Sequence, residues 1–565
     1  MTRLVSMLAA ALACLVFLPT AARADFGIDD FDLTFTDQDG SPATQAGSHP
    51  FAMTISLPAN LDGEEPDGKL RDLFLEGPPG LVGNTTAYPR CTRAAFLEIE
   101  EGVNNCPLGS AVGISTSSFD EPGKSIDAPV FNLAPSPGAL ASLGFRVASA
   151  ASLVVDIGLS PYPPHSPIAA VRDVPDGIDL FGVELQLWGD PASTDHDAQR
   201  GICGTTAAGD LCPVSLQERP LLTLPTRCNG PLASFYEALS WEGDEDFGAS
   251  LTHDGLGNPQ GLTGCGKLAF TPSMKVQATT EAAKTPTGLD FSLDVVDEGL
   301  ASASGVAHSQ IRHALLALPP GMAAAPTLGS GSGGCSEADL EDESLLGSPD
   351  DGCPESSKVG TIEVESPLVA EPVGGAVYRA VPFQNFAGDS PMALYFVLED
   401  PDLGIAVTQV AGVEPDPESG QLIIFAPELP QLPFSHLQLH LQEGDGAPLI
   451  SPPLCGDYQV EAEIVPWSSS DVYVLTSGLG VVSGPSGGPC PTGEGSQPPK
   501  DPSSPLSSGQ APAPFGRSSP RGANGKRRCP KAKRRVRRNG KIRCVKKGRH
   551  RPAGHRHRAG HDRVR

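Results

Sequence analysis

Short runs in which apolar and polar residues alternate with a period of two recur along the chain, as in Phe31-Asp32-Leu33-Thr34-Phe35 and Val183-Glu184-Leu185-Gln186-Leu187. Period-two alternation predicts strands with one face buried. Beyond the first 24 residues no long stretch carries the 3.6-residue spacing of an amphipathic helix, and 57 Pro and 64 Gly punctuate the short runs. The pattern predicts an all-β chain of sandwich-like modules. Two short helices are expected between neighbouring cysteines, around 94–101 and 340–346.

The same pattern occurs twice. Arg71-Asp72-Leu73-Phe74-Leu75-Glu76-Gly77-Pro78-Pro79-Gly80, then Cys91, Cys106-Pro107 and Val112-Gly113, is matched by Arg312-His313-Ala314-Leu315-Leu316-Ala317-Leu318-Pro319-Pro320-Gly321, then Cys335, Cys353-Pro354 and Val359-Gly360. Upstream, Phe51, Met53, Ile55 and Leu57 stand against Leu289, Phe291, Leu293 and Val295; downstream, Val183–Leu187 stands against Leu437–Leu441. Each copy closes with Cys, Trp and Cys: Cys228, Trp241 and Cys265, then Cys455, Trp467 and Cys490. A fixed order of shared landmarks marks an internal duplication. The expected organisation is a leader at 1–24, two tandem β modules at 25–275 and 276–495, a Pro/Ser/Gly-rich disordered spacer at 496–525, and a basic tail at 526–565. Each copy is large for one sandwich, so a larger β unit followed by a separate small Cys-Trp-Cys β unit is expected in each.

Met1–Ala24 carries an early cation, an apolar core and a small-residue end ahead of Asp25, which predicts a cleaved secretory signal. No later run approaches roughly 18 uninterrupted apolar residues, so no transmembrane segment is expected in the mature chain. Cleavage removes Cys14 and leaves twelve of the 13 cysteines, an even set that predicts disulfides in an oxidising compartment. Proximity pairs Cys91 with Cys106, Cys203 with Cys212, Cys228 with Cys265, Cys335 with Cys353, Cys455 with Cys490, and Cys529 with Cys544. No CxxC pair is present, which argues against zinc.

Thr285-Pro286-Thr287-Gly288-Leu289-Asp290, Cys353-Pro354-Glu355-Ser356-Ser357-Lys358-Val359-Gly360-Thr361, Pro430-Gln431-Leu432-Pro433-Phe434 and Pro452-Pro453-Leu454-Cys455-Gly456 resemble segments of large secreted β-repeat proteins of actinobacteria. The resemblance covers most of both modules, and the tail is similar to tails on such proteins. It implies secretion and a surface role, and carries over no catalytic or binding residue.

Candidate chemistry is sparse. Gly484-Pro485-Ser486-Gly487-Gly488 fits G-x-S-x-G, yet Pro and Gly oppose the strand and helix that a nucleophile elbow needs. Asp195, His196 and Asp197 form the densest group of possible ligands, a weak calcium candidate with Asp190 nearby. Asp37-Gln38-Asp39-Gly40 reads as a hairpin turn. His436 and His440 fall on one strand face about 13 Å apart, too far to share an ion. The two copies share Pro, Gly, Cys, Trp and apolar residues rather than acids, bases and nucleophiles, and no cofactor is implied.

Charge changes the picture most. The last forty residues hold 19 of the 40 Lys and Arg and one of the 67 Asp and Glu, so the tail carries +18 and the rest of the chain −45 of the net −27. Arg534, Arg535, Arg537, Arg538, Lys541, Arg543, Lys546 and Lys547 flank Asn539-Gly540, a hairpin signal. With no aromatic residue between Gly525 and Arg565, base stacking is absent and nucleic acid is a poor partner. The expectation is a non-catalytic secreted or cell-envelope protein held by its tail on an anionic envelope polymer, with self-association through the acidic body a further possibility. A glycan- or calcium-binding module is the alternative, and a secreted hydrolase the remotest.

Overall fold

The computed structural model describes residues 26–490 apart from 101–102, 120–123, 148–150, 202–210, 330–332, 343–351, 382–391 and 417–418, together with the backbone of 533–538 and 541–546. The leader, the spacer and most of the tail lie outside the described residues.

Eleven strands form the main sheet of the first module: β1 (Asp32–Thr36), β2 (Ala52–Pro58), β3 (Leu70–Glu76), β4 (Ala111–Phe119), β5 (Ser125–Leu133), β6 (Ala141–Val147), β7 (Ala151–Leu159), β8 (Pro167–Val171), β9 (Leu180–Trp188), β10 (Ala233–Ser240) and β11 (Glu245–Leu251). The second has β12 (Pro272–Ala278), β13 (Leu289–Val295), β14 (Ile311–Ala317), β15 (Lys358–Glu365), β16 (Val373–Arg379), β17 (Met392–Asp400), β18 (Ile405–Pro415), β19 (Leu422–Ala426), β20 (His436–Leu441), β21 (Gly456–Pro466) and β22 (Tyr473–Val481). The spatial order is β1-β2-β9-β4-β5-β6-β7-β8-β3-β10-β11 in one sheet and β12-β13-β20-β15-β16-β17-β18-β19-β14-β21-β22 in the other. Adding eleven to each label converts the first order into the second. Neighbouring strands run antiparallel throughout. The chain is therefore all-β, two like sheets in tandem.

Each sheet curls until its first and last strands meet. An odd number of antiparallel strands leaves those two pointing the same way, so they cannot extend the antiparallel ladder. A serine on the last strand bridges the seam instead: Ser250 Oγ accepts from Leu33 N at 3.4 Å, and Ser477 Oγ accepts from Val276 N at 2.9 Å. Strand β12 begins at Pro272 and belongs to the second sheet, ahead of the expected start of that module at residue 276.

The register corrects one sequence correspondence. Leu185 faces Ile55 and Leu439 faces Phe291, so the partner of Ile55 in the second copy is Phe291, and Met53 answers to Leu289. The alternation of β2 and β13 was legible, but a shift by two residues keeps every side chain on its face, so periodicity alone left the register open. The match at Gly113 and Gly360 is fixed sterically. A Cβ there would lie 2.3 Å from the Gln186 carbonyl oxygen and 2.4 Å from that of His440. Gly80 and Gly321, at φ +87° and +84°, end the Pro-Pro turns after β3 and β14 in a conformation glycine adopts freely.

The Cys-Trp-Cys segments do not form separate small units. The β10–β11 and β21–β22 hairpins continue the main sheets by pairing with β3 and β14. Trp241 anchors the first: its backbone N–H donates to Lys69 O at 2.9 Å, its indole N–H to Val174 O at 2.8 Å, and the Arg71 guanidinium lies 6.0 Å from its ring. Trp467 N donates to Gln310 O in the same way. Disulfides join Cys91 to Cys106, Cys228 to Cys265, Cys335 to Cys353 and Cys455 to Cys490. Cys212 is disulfide-bonded, whereas Cys203, Cys529 and the side chain of Cys544 lie outside the described residues.

An apolar core lies inside each sheet, around Leu33, Leu143 and Phe145 in the first and Leu289, Leu394 and Ile464 in the second. Outside each sheet a short helix between the paired cysteines, Arg93–Leu97 and Glu337–Asp342, covers a smaller cluster. The two modules also pack on each other. Val82 meets Leu300 and Ala307, Gly138 N donates to Asp402 O at 3.0 Å, and Thr226 N donates to Gln431 Oε1 at 3.2 Å.

Candidate functional site

Strand β9 ends at Trp188, and the chain returns through a tight loop that carries the Asp195, His196 and Asp197 group. Thr194–His196 is a single 3-10 turn capped by Ser193. His196 lies flat on the buried Trp188 indole at 4.3 Å between ring centres, and Arg200, fully buried, sits 5.5 Å from the same ring. Arg200 Nε donates to Asp197 Oδ1 at 3.1 Å and its Nη2 to Ser193 O at 2.7 Å. The carboxylates face different partners: Asp195 accepts from Gln38 Nε2 at 2.8 Å, and Asp190 accepts from the Tyr88 hydroxyl at 2.8 Å. Among the described residues no group of three or more His, Cys, Asp or Glu side chains is gathered to hold a metal. Burial, with the Arg200 charge, pushes His196 down to about 4, so the stack holds a neutral imidazole. Its chemistry is that of an aromatic plug.

The other sequence candidates are also placed. His436 Nδ1 is 2.8 Å from Asp294 Oδ1, and His440 Nδ1 is 2.7 Å from Asp290 Oδ1, as cross-strand pairs between β20 and β13. Asp39 accepts from Ser41 N at 2.9 Å and Ser41 Oγ at 2.6 Å, closing the Asp37–Gly40 turn. Ser486 is exposed within the 3-10 turn Pro485–Gly487, with no strand leading in.

A feature not visible in the sequence lies inside the first module. A cavity of about 210 Å³ runs among the inward residues of β2, β3, β6, β7 and β9, with Met53, Ile55, Leu143, Phe145 and Leu153 on its wall. Its polar lining side chains are Asn60, Asp67 and Thr85. Asp67 Oδ2 is buried and makes no hydrogen bond, while the Asp67 backbone N–H donates to Asn60 O at 2.9 Å. Cavities of this kind emerge from the sum of inward side-chain volumes around a closed sheet, which no single motif records.

In the tail, Lys533–Arg538 and Lys541–Lys546 form an antiparallel hairpin across Asn539-Gly540, whose own conformation lies outside the described residues. The register sets Lys533 opposite Lys546 and Arg538 opposite Lys541. Lys547 lies outside the described residues.

No protein-family model matches the chain, and no curated protein matches it. Among solved structures, the C-terminal domain of the Streptococcus agalactiae AgI/II polypeptide BspA aligns over 80% of this chain and 100% of its own at 6% identity and a TM-score of 0.19. The C-terminal domain of the Streptococcus pyogenes antigen I/II-family protein AspA covers 80% and 100% at 9% identity and a TM-score of 0.16. The type II cohesin dyad of the Acetivibrio cellulolyticus adaptor ScaA scaffoldin covers 81% and 97% at 7% identity and a TM-score of 0.14. Scores of this size do not place the chain in the fold of any of them. Its β character rests on its own strands.

Proposed function

We propose that this is a secreted, non-catalytic protein of the cell envelope: a leader at 1–24, two β modules, and a Pro/Ser/Gly-rich spacer that joins them to a basic tail held on an anionic envelope polymer. The register of the tail hairpin carries the reading. Two of its cross-strand pairs set cation against cation, which costs stability in a two-stranded ribbon. An anionic polymer lying along the ribbon offsets that repulsion and gains from the whole +18 tail. Arg534, Arg535, Arg537, Arg538, Lys541, Arg543, Lys546 and Lys547 are the contact residues in this reading, with phosphate-rich or acidic polysaccharide chains as partners. The disulfides fit an oxidising, extracellular compartment.

Co-sedimentation with purified envelope across a salt series tests this. The full mature chain should pellet at low salt and be released at high salt, whereas a chain ending at Gly522 should stay in solution. Equal behaviour of the two would remove the tail as the anchor.

A further inference from the structure

The cavity of the first module combines three properties. It is large, since an apolar cavity of roughly 150 Å³ already stays dry and admits benzene, and this one measures about 210 Å³. Its wall is aliphatic and aromatic along the barrel interior. Its polar groups are not spread evenly. Asn60 and Asp67 lie together with Phe26, Gly27 and Gly68 where the N-terminal segment crosses the end of the sheet. Near Thr85 the lining includes Val82, which packs against Leu300 and Ala307 of the second module and so stops that end.

A buried carboxylate oxygen without a hydrogen bond is costly unless something occupies it. Asp67 Oδ2 is such an atom, and it belongs to a residue that lines the cavity. We propose that the first module binds a single-chain amphiphile, its alkyl chain in the cavity and its hydroxyl or ammonium head donating a hydrogen bond to the Asp67 carboxylate, which turns from its closed-off position to meet it. The wall supplies affinity through apolar burial, and Asp67 supplies selection among head groups. An anionic head is disfavoured there because it would meet the carboxylate with no donor to offer.

The full-length mature protein, loaded with the fluorescent apolar probe N-phenyl-1-naphthylamine, is titrated with dodecylammonium, 1-dodecanol, dodecane and dodecanoate. Saturable displacement is expected, with dodecylammonium and dodecanol about tenfold or more ahead of dodecanoate, the scale of one hydrogen bond to a charged group. Ile55→Phe, which installs the residue the second module carries at Phe291, should abolish displacement while thermal unfolding stays cooperative. Leu153→Phe provides the same test should Ile55→Phe not fold. Asp67→Asn should keep probe uptake and lose the preference for ammonium over dodecanoate. Any of three results would overturn the proposal: no saturable uptake by the folded wild-type chain, uptake unchanged in a folded cavity-filling variant, or an ammonium preference that survives Asp67→Asn and so reflects only the acidic body.

Discussion

Where the first module has Gly144, facing Phe131 across the sheet, the second has Tyr395, facing Tyr378. The helix outside each position differs to match. In the first module Phe96 from the helix fills the space above Gly144, where a Cβ would come within 2.7 Å of its ring. In the second, Tyr395 itself is buried and the helix offers the smaller Leu340. Trp188 closes the same cluster in the first module; the position in the second is Gln442, and among the described residues the Trp188–His196–Arg200 stack has no counterpart there. Conversely, Asp290–His440 and Asp294–His436 in the second module replace Thr54–Gln186 and Pro58–Gly182 in the first. Strand order is thus held by a short set of shared Pro, Gly, Cys and Trp residues, while volume and polarity at each face are free to move between partners as long as their sum is kept.

The comparison can be broken most severely at the feature the modules share. Removing Cys228–Cys265 or Cys455–Cys490 by paired Ser substitutions should cost on the order of 4 kcal/mol in each case, because the loops span 37 and 35 residues. Denaturant unfolding followed by hydrogen exchange in each module checks that the two losses are alike; a several-fold inequality would mean that the hairpins are not equivalent anchors.

Acid comes next, and it should weaken both modules. His196 ionises near 6.5 when unfolded but stays neutral to about 4 in the fold, so its contribution is present above 6.5 and is lost as pH falls toward 4. The loss is on the order of 3 kcal/mol for this nearly inaccessible ring. His313 in the second module is pushed down to about 4 as well, by burial and by Arg312. His196→Gln should reduce the pH dependence of protection in the first module, leaving the part owed to His49 and His165, which burial also shifts down, and should leave that of the second intact.

Smaller effects follow at the exchanged aromatic. Gly144→Ala should destabilise the first module by about 1–3 kcal/mol through overpacking against Phe96 and Leu133. Tyr395→Phe should be close to neutral or slightly stabilising, because the Tyr395 hydroxyl is buried without a partner, and burial pushes it up to about 12. Thermal melts of the two variants measure the difference. Least of all, Asp290→Asn and Asp294→Asn should each change stability by less than about 1 kcal/mol, as half-exposed pairs do; a larger loss would show that these pairs hold the β13–β20 register.

Much of this architecture was legible before the structure. Alternation at Val183–Leu187 and the repeated Pro-Pro-Gly, Cys-Pro and Val-Gly landmarks specify strands and a duplication, because each residue type answers a local backbone demand. What local pattern could not carry was distance. The Trp241 hairpin joins β3 through contacts with Lys69 and Val174, far away in the chain, so it read as a separate unit. The acidic loop read as a group of ligands because adjacency hides direction: Asp195, His196 and Asp197 turn to Gln38, Trp188 and Arg200. Asp67 carried no signal at all, since one acid in a polar loop gains meaning only when the strands around it close.

The serine seams of Ser250 and Ser477 bear on how such molecules behave when crowded. An open sheet offers a row of unsatisfied amides and carbonyls that a neighbouring molecule can template onto, and high local concentration raises that hazard. A single hydroxyl at the join of each sheet occupies the place where an invading strand would begin. Crowded copies would meet a closed seam there rather than an open strand edge.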